Sequence, residues 1–153
     1  MRQTGCAGVV VGRGCLGRPW LFADLVSAFN GGTERTLPTL HEVREVMFRH
    51  GELIVDYFES EDRGCRDLRK HMAWYLKGFR VHRELRRQFG LIESLANMRE
   101  LLDQLDDQPY PIEVGEKPRG RTSHGRPVTL PDRWLEDPDE MAAIELEDAF
   151  SGG

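Results

Sequence analysis

Two groups of residues in this chain have the types and spacing for chemistry with phosphate. The first is Gly12-Arg13-Gly14, at the end of the β-branched run Val9-Val10-Val11 in GVVVGRGCLGRPWLF. Glycines at a strand end let the backbone approach a ligand. Main-chain N–H groups, the Arg13 guanidinium and the N-terminus of a helix beyond Pro19 could then hold an anion there. The plain alternative is that glycine after a strand makes a turn and nothing more. The second group lies within residues 66–80, placed on a helical wheel. At about 100° per residue, Leu68, Met72, Tyr75, Leu76 and Phe79 share one apolar arc, and Arg66, Arg69, Lys70, Lys77 and Arg80 lie opposite. His71 and Trp74 border that cationic face.

Charge is distributed unevenly along the 153 residues. The formal net charge is −5, yet Asp62 to Gly90 holds nine basic against three acidic residues, and Asp132 to the end holds eight acidic against one basic. A whole-chain charge therefore excludes no polyanionic partner, because a local basic block binds phosphates whatever the tail carries. The predicted ridge lacks i,i+4 glutamate partners, and Arg83, Arg86 and Arg87 extend it onto the next helix. Like charges crowded in this way suit a surface that a polyanion neutralises, although a solvated helix face remains the alternative.

The remaining chemistry-bearing residues are few. Three cysteines, Cys6, Cys15 and Cys65, form an odd set without CxxC spacing, which fits a reducing cytoplasm and packing roles. No metal site is expected. No run approaches the roughly 18 apolar residues of a membrane span, and the N-terminus lacks a secretory signal. Apolar residues make up 39% of the chain and mean hydropathy is −0.52, so the ordered part is expected to be smaller than the whole.

Local signals supply the elements that must position these groups. Residues 1–30 read as a βα unit, with a strand over Gly8–Val11 and a helix from Pro19 to Phe29. A lone strand leaves backbone donors and acceptors unpaired, so this unit reads as the end of something larger. A linker spans 31–38. Thr39-Leu40-His41-Glu42 is a capping box that opens a helix reaching Glu59. Further helices are predicted over Arg63–Lys77, closed by Gly78, and Val81–Phe89, closed by Gly90, with a fourth starting near Ser94. Residues 39–105 thus form a helical domain resembling a small antiparallel bundle. Residues 106–153 carry no period and read as an irregular acidic tail, with Trp134 placed against the body and a frayed helix over Ala142–Phe150.

Together, TGCAGVVVGRGCLGRPWLF, LRKHMAWYLKGF and ELRRQFGLIESLANMRELLDQL resemble the C-terminal part of bacterial tRNA-dihydrouridine synthases of the B-type branch, from Thr4 to Leu105. The resemblance implies the last βα unit of an FMN-binding TIM (β/α)8 barrel followed by a helical tRNA-binding domain: a mainly α chain with a barrel remnant. It implies reduction of uridine to 5,6-dihydrouridine in tRNA by a monomeric, cytoplasmic enzyme with NADPH as electron donor. Gly12 and Arg13 would contact the FMN phosphate. Arg66, Arg69, Lys70, His71, Lys77 and Arg80 would contact RNA. The family's acidic cysteine belongs to an earlier barrel loop, so Cys6, Cys15 and Cys65 are not assigned to it, no catalytic residue is expected here, and the chain alone is expected to be inactive. The alternatives are a freestanding helical RNA-binding module and a helical interaction domain with solvated cations.

Overall fold

The computed structural model describes residues 3–117 and Arg119. The described chain is mainly α: six helices and one 3₁₀ turn, Arg13–Cys15, with no strand among the described residues. Gly8–Val11, expected as a strand, therefore joins no ladder, and Val10 is almost wholly exposed. The physical reason is that a strand is stabilised by neighbours on either side, and nothing described here supplies one.

The first helix, α1 (Leu21–Phe29), starts two residues after Pro19 and ends at Asn30. It buries no residue fully, and Phe22, Val26 and Phe29 are exposed. Helix α2 (Leu40–Phe58) starts as the capping box requires: the Glu42 amide donates to the Thr39 hydroxyl at 3.4 Å, and the Thr39 amide donates to the Glu42 carboxylate at 2.8 Å. Glu59 ends it in the left-handed region at φ 50, and Ser60 immediately caps α3 (Glu61–Tyr75) through the Arg63 amide. So short a connection folds α3 back along α2 as a helical hairpin. Helix α4 (Arg83–Phe89) is capped by His82, and α5 (Leu95–Leu102) by Ser94, whose hydroxyl accepts from the Asn97 amide at 3.1 Å. The α5 helix packs on α2, and α4 packs between α3 and α5.

The core follows the apolar stripes of these helices. Leu40, Val43 and Met47 of α2 meet Leu68, Met72 and Tyr75 of α3 and Met98, Leu101 and Leu102 of α5. Ile54 and Phe58, expected on the same stripe of α2, are only partly buried. Helix α3 ends at Tyr75, two residues short of the predicted Lys77, so Leu76 and Phe79 enter the core from the turn that follows. Within 106–153, the segment read as an irregular tail, the described residues pack: Tyr110 is buried against Phe79 and Trp20, and Ile112–Gly115 form the short helix α6. The positions expected for Trp134 and for a helix over Ala142–Phe150 lie outside the described residues.

The hairpin is tightest at Gly64, where a Cβ would stand 2.8 Å from both Cα and Cγ2 of Val55. Backbone is the obstacle on the α2 side, so relief requires the two helices to separate. Gly64→Ala is expected to destabilise the chain by about 1–3 kcal/mol, read as a lower denaturant midpoint at unchanged slope. A midpoint equal to the parent's would show that the hairpin has slack there.

Candidate functional site

The short 3₁₀ turn at Arg13–Cys15 closes through the Leu16 amide donating to the Arg13 carbonyl at 3.2 Å, and the Cys15 thiol donates to the Gly12 carbonyl at 3.1 Å. Gly12 and Arg13 are exposed, and a Cβ on Gly12 would meet nothing within 4 Å. Open main chain beside a guanidinium fits the anionic end of a phosphate-bearing group. The helix N-terminus expected at this turn is farther along: Trp20 caps α1, with Gly17, Arg18 and Pro19 intervening. Any anion at Gly12 is therefore held by the turn and Arg13 rather than by the α1 dipole.

What fixes this turn in space escaped the sequence reading. Gly17 has φ +63 and lies so close to α3 that a Cβ would overlap the Trp74 carbonyl carbon and stand 2.5 Å from the Tyr75 nitrogen. Arg119 then locks the junction. Its guanidinium, 7% exposed, donates to the Leu16 carbonyl and to the Gly115 carbonyl, each at 2.9 Å, and to the Trp74 carbonyl. Arg18 adds a bond to the Gly14 carbonyl at 2.8 Å and an ion pair with Glu116 at 3.2 Å. Arg35 bridges Glu116 to Asp24, and Asp24 also accepts from the Thr36 amide at 2.7 Å. Residues 110–117 and Arg119 thus strap the turn onto the helical body. The only sequence-level trace is the cluster of basic residues at Lys117, Arg119 and Arg121, hidden by a stretch with no helical or strand period.

The predicted cationic ridge divides. Arg66 and Lys70 are exposed on α3, pairing with Asp62 at 3.0 Å and Asp67 at 2.6 Å, so aspartates supply the partners that glutamates do not. Exposed pairs of this kind contribute only about 0–1 kcal/mol, and a phosphate can displace them. Arg69 is half-buried and donates to the Ile92 carbonyl at 2.8 Å. Arg86 leaves the ridge altogether: it donates to the carbonyls of Leu76, Phe79 and Val81, closing the end of α3, while Arg87 pairs with Glu84. Because α3 ends at Tyr75, Lys77 and Arg80 are placed by the turn after it. The Arg80 main chain is clasped from both sides by the Gln108 amide, at 2.8 and 2.9 Å.

Lys77 stands near three other cations, Arg18, Lys117 and Arg119. Its amine donates to the Lys117 carbonyl at 3.2 Å. Desolvation, followed by the charges of Arg119, Lys117 and Arg18, lowers its pKa. His71, expected on the border of the ridge, packs against His50 at 4.8 Å and Trp74 at 5.3 Å between ring centroids. Burial lowers the pKa of both histidines. Lys70 pushes the same way, His50 adds to the effect on His71, and Asp67 opposes it in both. The Tyr75 hydroxyl shares a 3.1 Å hydrogen bond with His50 Nδ1, and burial pushes its pKa up to about 12. Among the described residues, no His/Cys/Asp/Glu group could hold a metal ion, and no helix is long and apolar enough to cross a membrane.

Two outcomes test this geometry. Arg119→Met leaves three main-chain carbonyls without their donor, and is expected to cost about 1–3 kcal/mol and to raise the thiol-labelling rate of Cys15 while Cys65, in the core, stays slow. Equal Cys15 labelling in parent and variant would mean that the strap does not hold the turn. The histidine pair sets a pH dependence: with folded pKa values below the usual 6.5, the unfolded chain binds more protons as pH falls through that value, so stability drops. Denaturant midpoints are expected to fall between about pH 7.5 and about pH 5.5, and to fall less in a variant carrying His50→Gln and His71→Gln.

Comparison with known proteins places this geometry in context. A family model described as dihydrouridine synthase (Dus) matches residues 1–109. A probable tRNA-dihydrouridine synthase of Mycobacterium leprae is 52% identical over the whole chain, and one of Mycobacterium tuberculosis is 48% identical. A probable tRNA-dihydrouridine synthase 1 of Synechocystis is 36% identical over 68% of the chain and 29% of its own length. The chain spans about two fifths of the mycobacterial relatives, 39% and 40% of their lengths.

Proposed function

Because the chain belongs to the dihydrouridine synthase family, we propose that it is the part of a flavin-dependent tRNA-dihydrouridine synthase that holds the flavin phosphate and binds tRNA. The proposed parent enzyme reduces uridine to 5,6-dihydrouridine with NADPH as donor, as a monomer in the cytoplasm. Residues 1–30 would be the last βα unit of its TIM barrel, 31–38 a linker and 39–105 the tRNA-binding domain. Val9, Val10, Val26 and Phe29 are exposed apolar side chains suited to burial against preceding barrel units.

FMN, when bound, would supply the hydride that reduces the uracil ring. Gly12 and Arg13 would hold its phosphate, because the main chain at Gly12 is open and Arg13 brings the positive charge. In this reading the proton donor belongs to an earlier barrel loop and is none of Cys6, Cys15 and Cys65; Cys15 donates its thiol to the Gly12 carbonyl and Cys65 is buried in the core. The reading places no catalytic residue in this chain and treats the chain alone as inactive.

The observation that supports the RNA assignment is the placing of Arg18, Lys117 and Arg119 close enough to Lys77 to add to desolvation in lowering its pKa, next to the turn. Positive charges gathered in this way attract an anion. Arg66 and Lys70 on α3 continue the positive surface, while Arg69, His71 and Arg80 support it from the positions described above. Phosphate contacts of this kind orient an RNA without reading its sequence. Lys70→Ala and Lys77→Ala are each expected to weaken tRNA binding and to reduce the slope of log affinity against log salt by about 1, measured by filter binding across a salt series. Slopes equal to the parent's in both variants would remove these residues from the interface.

A further inference from the structure

Between the strapped turn and the α2–α3 hairpin lies a cleft of about 600 Å³. That volume is within the range of roughly 300–1,000 Å³ typical of small-molecule sites. Leu16, Pro19 and Phe22 form one wall, and Val46 and Leu53 of α2 form the other. The polar groups are concentrated at one place, where His50, His71 and Tyr75 meet, with Glu45 and Arg49 also on the lining.

The chemistry of that polar corner is specific. Both imidazoles are held neutral at neutral pH by burial, so each carries one N–H donor and one acceptor nitrogen rather than a charge. Tyr75 fixes the His50 ring through Nδ1. His71 makes ring contacts with His50 and Trp74 and forms no hydrogen bond among the described residues. Flat apolar walls beside neutral donors and acceptors match a heteroaromatic ring with a polar edge. A free phosphate is a poor fit to such a lining, since Arg49, the one cation among the lining residues, is paired with Glu52, and the rest is mostly carbon and uncharged rings. Continuity with the positive surface identifies the source of that ring: His71 follows Lys70 on α3, and the Lys70 charge is close enough to act on both imidazoles.

We propose that this cleft receives one unstacked nucleobase of the bound RNA, with its face on the Leu16–Phe22 and Val46–Leu53 walls and its edge on His50 and His71. The inference rests on the RNA-binding reading and adds a recognition pocket to it. Bases splayed from RNA loops are commonly read in this way, by an apolar or aromatic face and hydrogen bonds to the edge. A phosphate held at Lys70 would lie near the polar corner of the cleft, since Lys70 precedes His71 and its charge acts on both imidazoles. The pocket performs no chemistry, and its occupancy does not depend on flavin.

The test uses the 153-residue chain with labelled histidine, followed by NMR during titration with adenosine 5′-monophosphate, uridine 5′-monophosphate and ribose 5-phosphate. At least one nucleotide is expected to shift the His50 and His71 signals at millimolar concentration, with ribose 5-phosphate leaving them in place. Val46→Trp, which fills the cleft, and His71→Phe, which keeps a ring but removes its edge, are each expected to weaken that nucleotide at least tenfold. Neither is expected to change the salt slope of tRNA binding. Equal shifts from ribose 5-phosphate would make the site an anion site and overturn the proposal. Imidazoles insensitive to every probe would overturn it too, as expected if an apolar protein segment is the natural occupant. The parent titration decides the matter even if Val46→Trp fails to fold. Nucleotide shifts report on the cleft and the salt slope on the cationic surface, so failure of one is distinguishable from failure of the other.

Discussion

The arrangement depends on the main chain of Gly17 lying directly against the main chain of α3 at Trp74. No side chain fits between them, and the positive φ at Gly17 lets the turn bend back at that contact. Hydrogen bonds then hold what steric fit permits, as one buried guanidinium reaches carbonyls from three separate stretches of chain, Leu16, Trp74 and Gly115. Arginine suits this task because its planar fork presents several donors in fixed directions and stays charged when buried. A lysine at the same point would offer one centre to three acceptors that lie in different directions.

Arg69 and Arg86, which look like part of an RNA-binding surface in the sequence, also act as internal fasteners, and so does Arg119. Arg69, Arg86 and Arg119 all spend donors on main-chain carbonyls left open where helices end or where turns meet them. Counting cations along α3 and α4 therefore overstates the charge available to a partner, since two of the α3 cations also carry aspartate neighbours. Beside Lys77 the strap adds Lys117, and Arg119 contributes its charge from a buried position. Charge that is distant in sequence has been brought together by the fold, next to the turn proposed to hold an anion.

Elements specified by local chemistry were legible from residues alone. The Thr39–Glu42 capping box, the Ser94 cap and the stripes of Leu40, Val43, Met47, Leu68 and Met72 each encode their outcome within a few residues, and the helices and core follow them. The losses are non-local. A Gly8–Val11 strand needs partners that no neighbouring residue can announce, and Gly64 resembles any helical glycine until Val55 lies across it. The strap was illegible for the opposite reason: Pro109, Pro111 and Gly115 break every period, yet Tyr110 and Arg119 are buried by contacts made far back along the chain. For the candidate site, the wheel placed Lys77 and Arg80 on one helical face, whereas α3 stops at Tyr75 and the turn after it sets their positions.

The strapped turn also explains how two weakly specified surfaces can serve one purpose. Gly12 and Arg13 by themselves form an open loop, and an open loop binds an anion with little directional preference. Fixed to Trp74, that loop acquires a constant offset from α3, from the Lys77 cluster and from the cleft whose wall it builds with Leu16 and Pro19. An enzyme acting on a base within a large folded RNA must hold a cofactor and a polyanion in mutual register, and the catalytic gain from such register is lost with small displacements. In the proposed reading, that register would come from main-chain contact and a buried guanidinium rather than from either surface. The surfaces can therefore stay exposed and adaptable while the distance between them remains fixed.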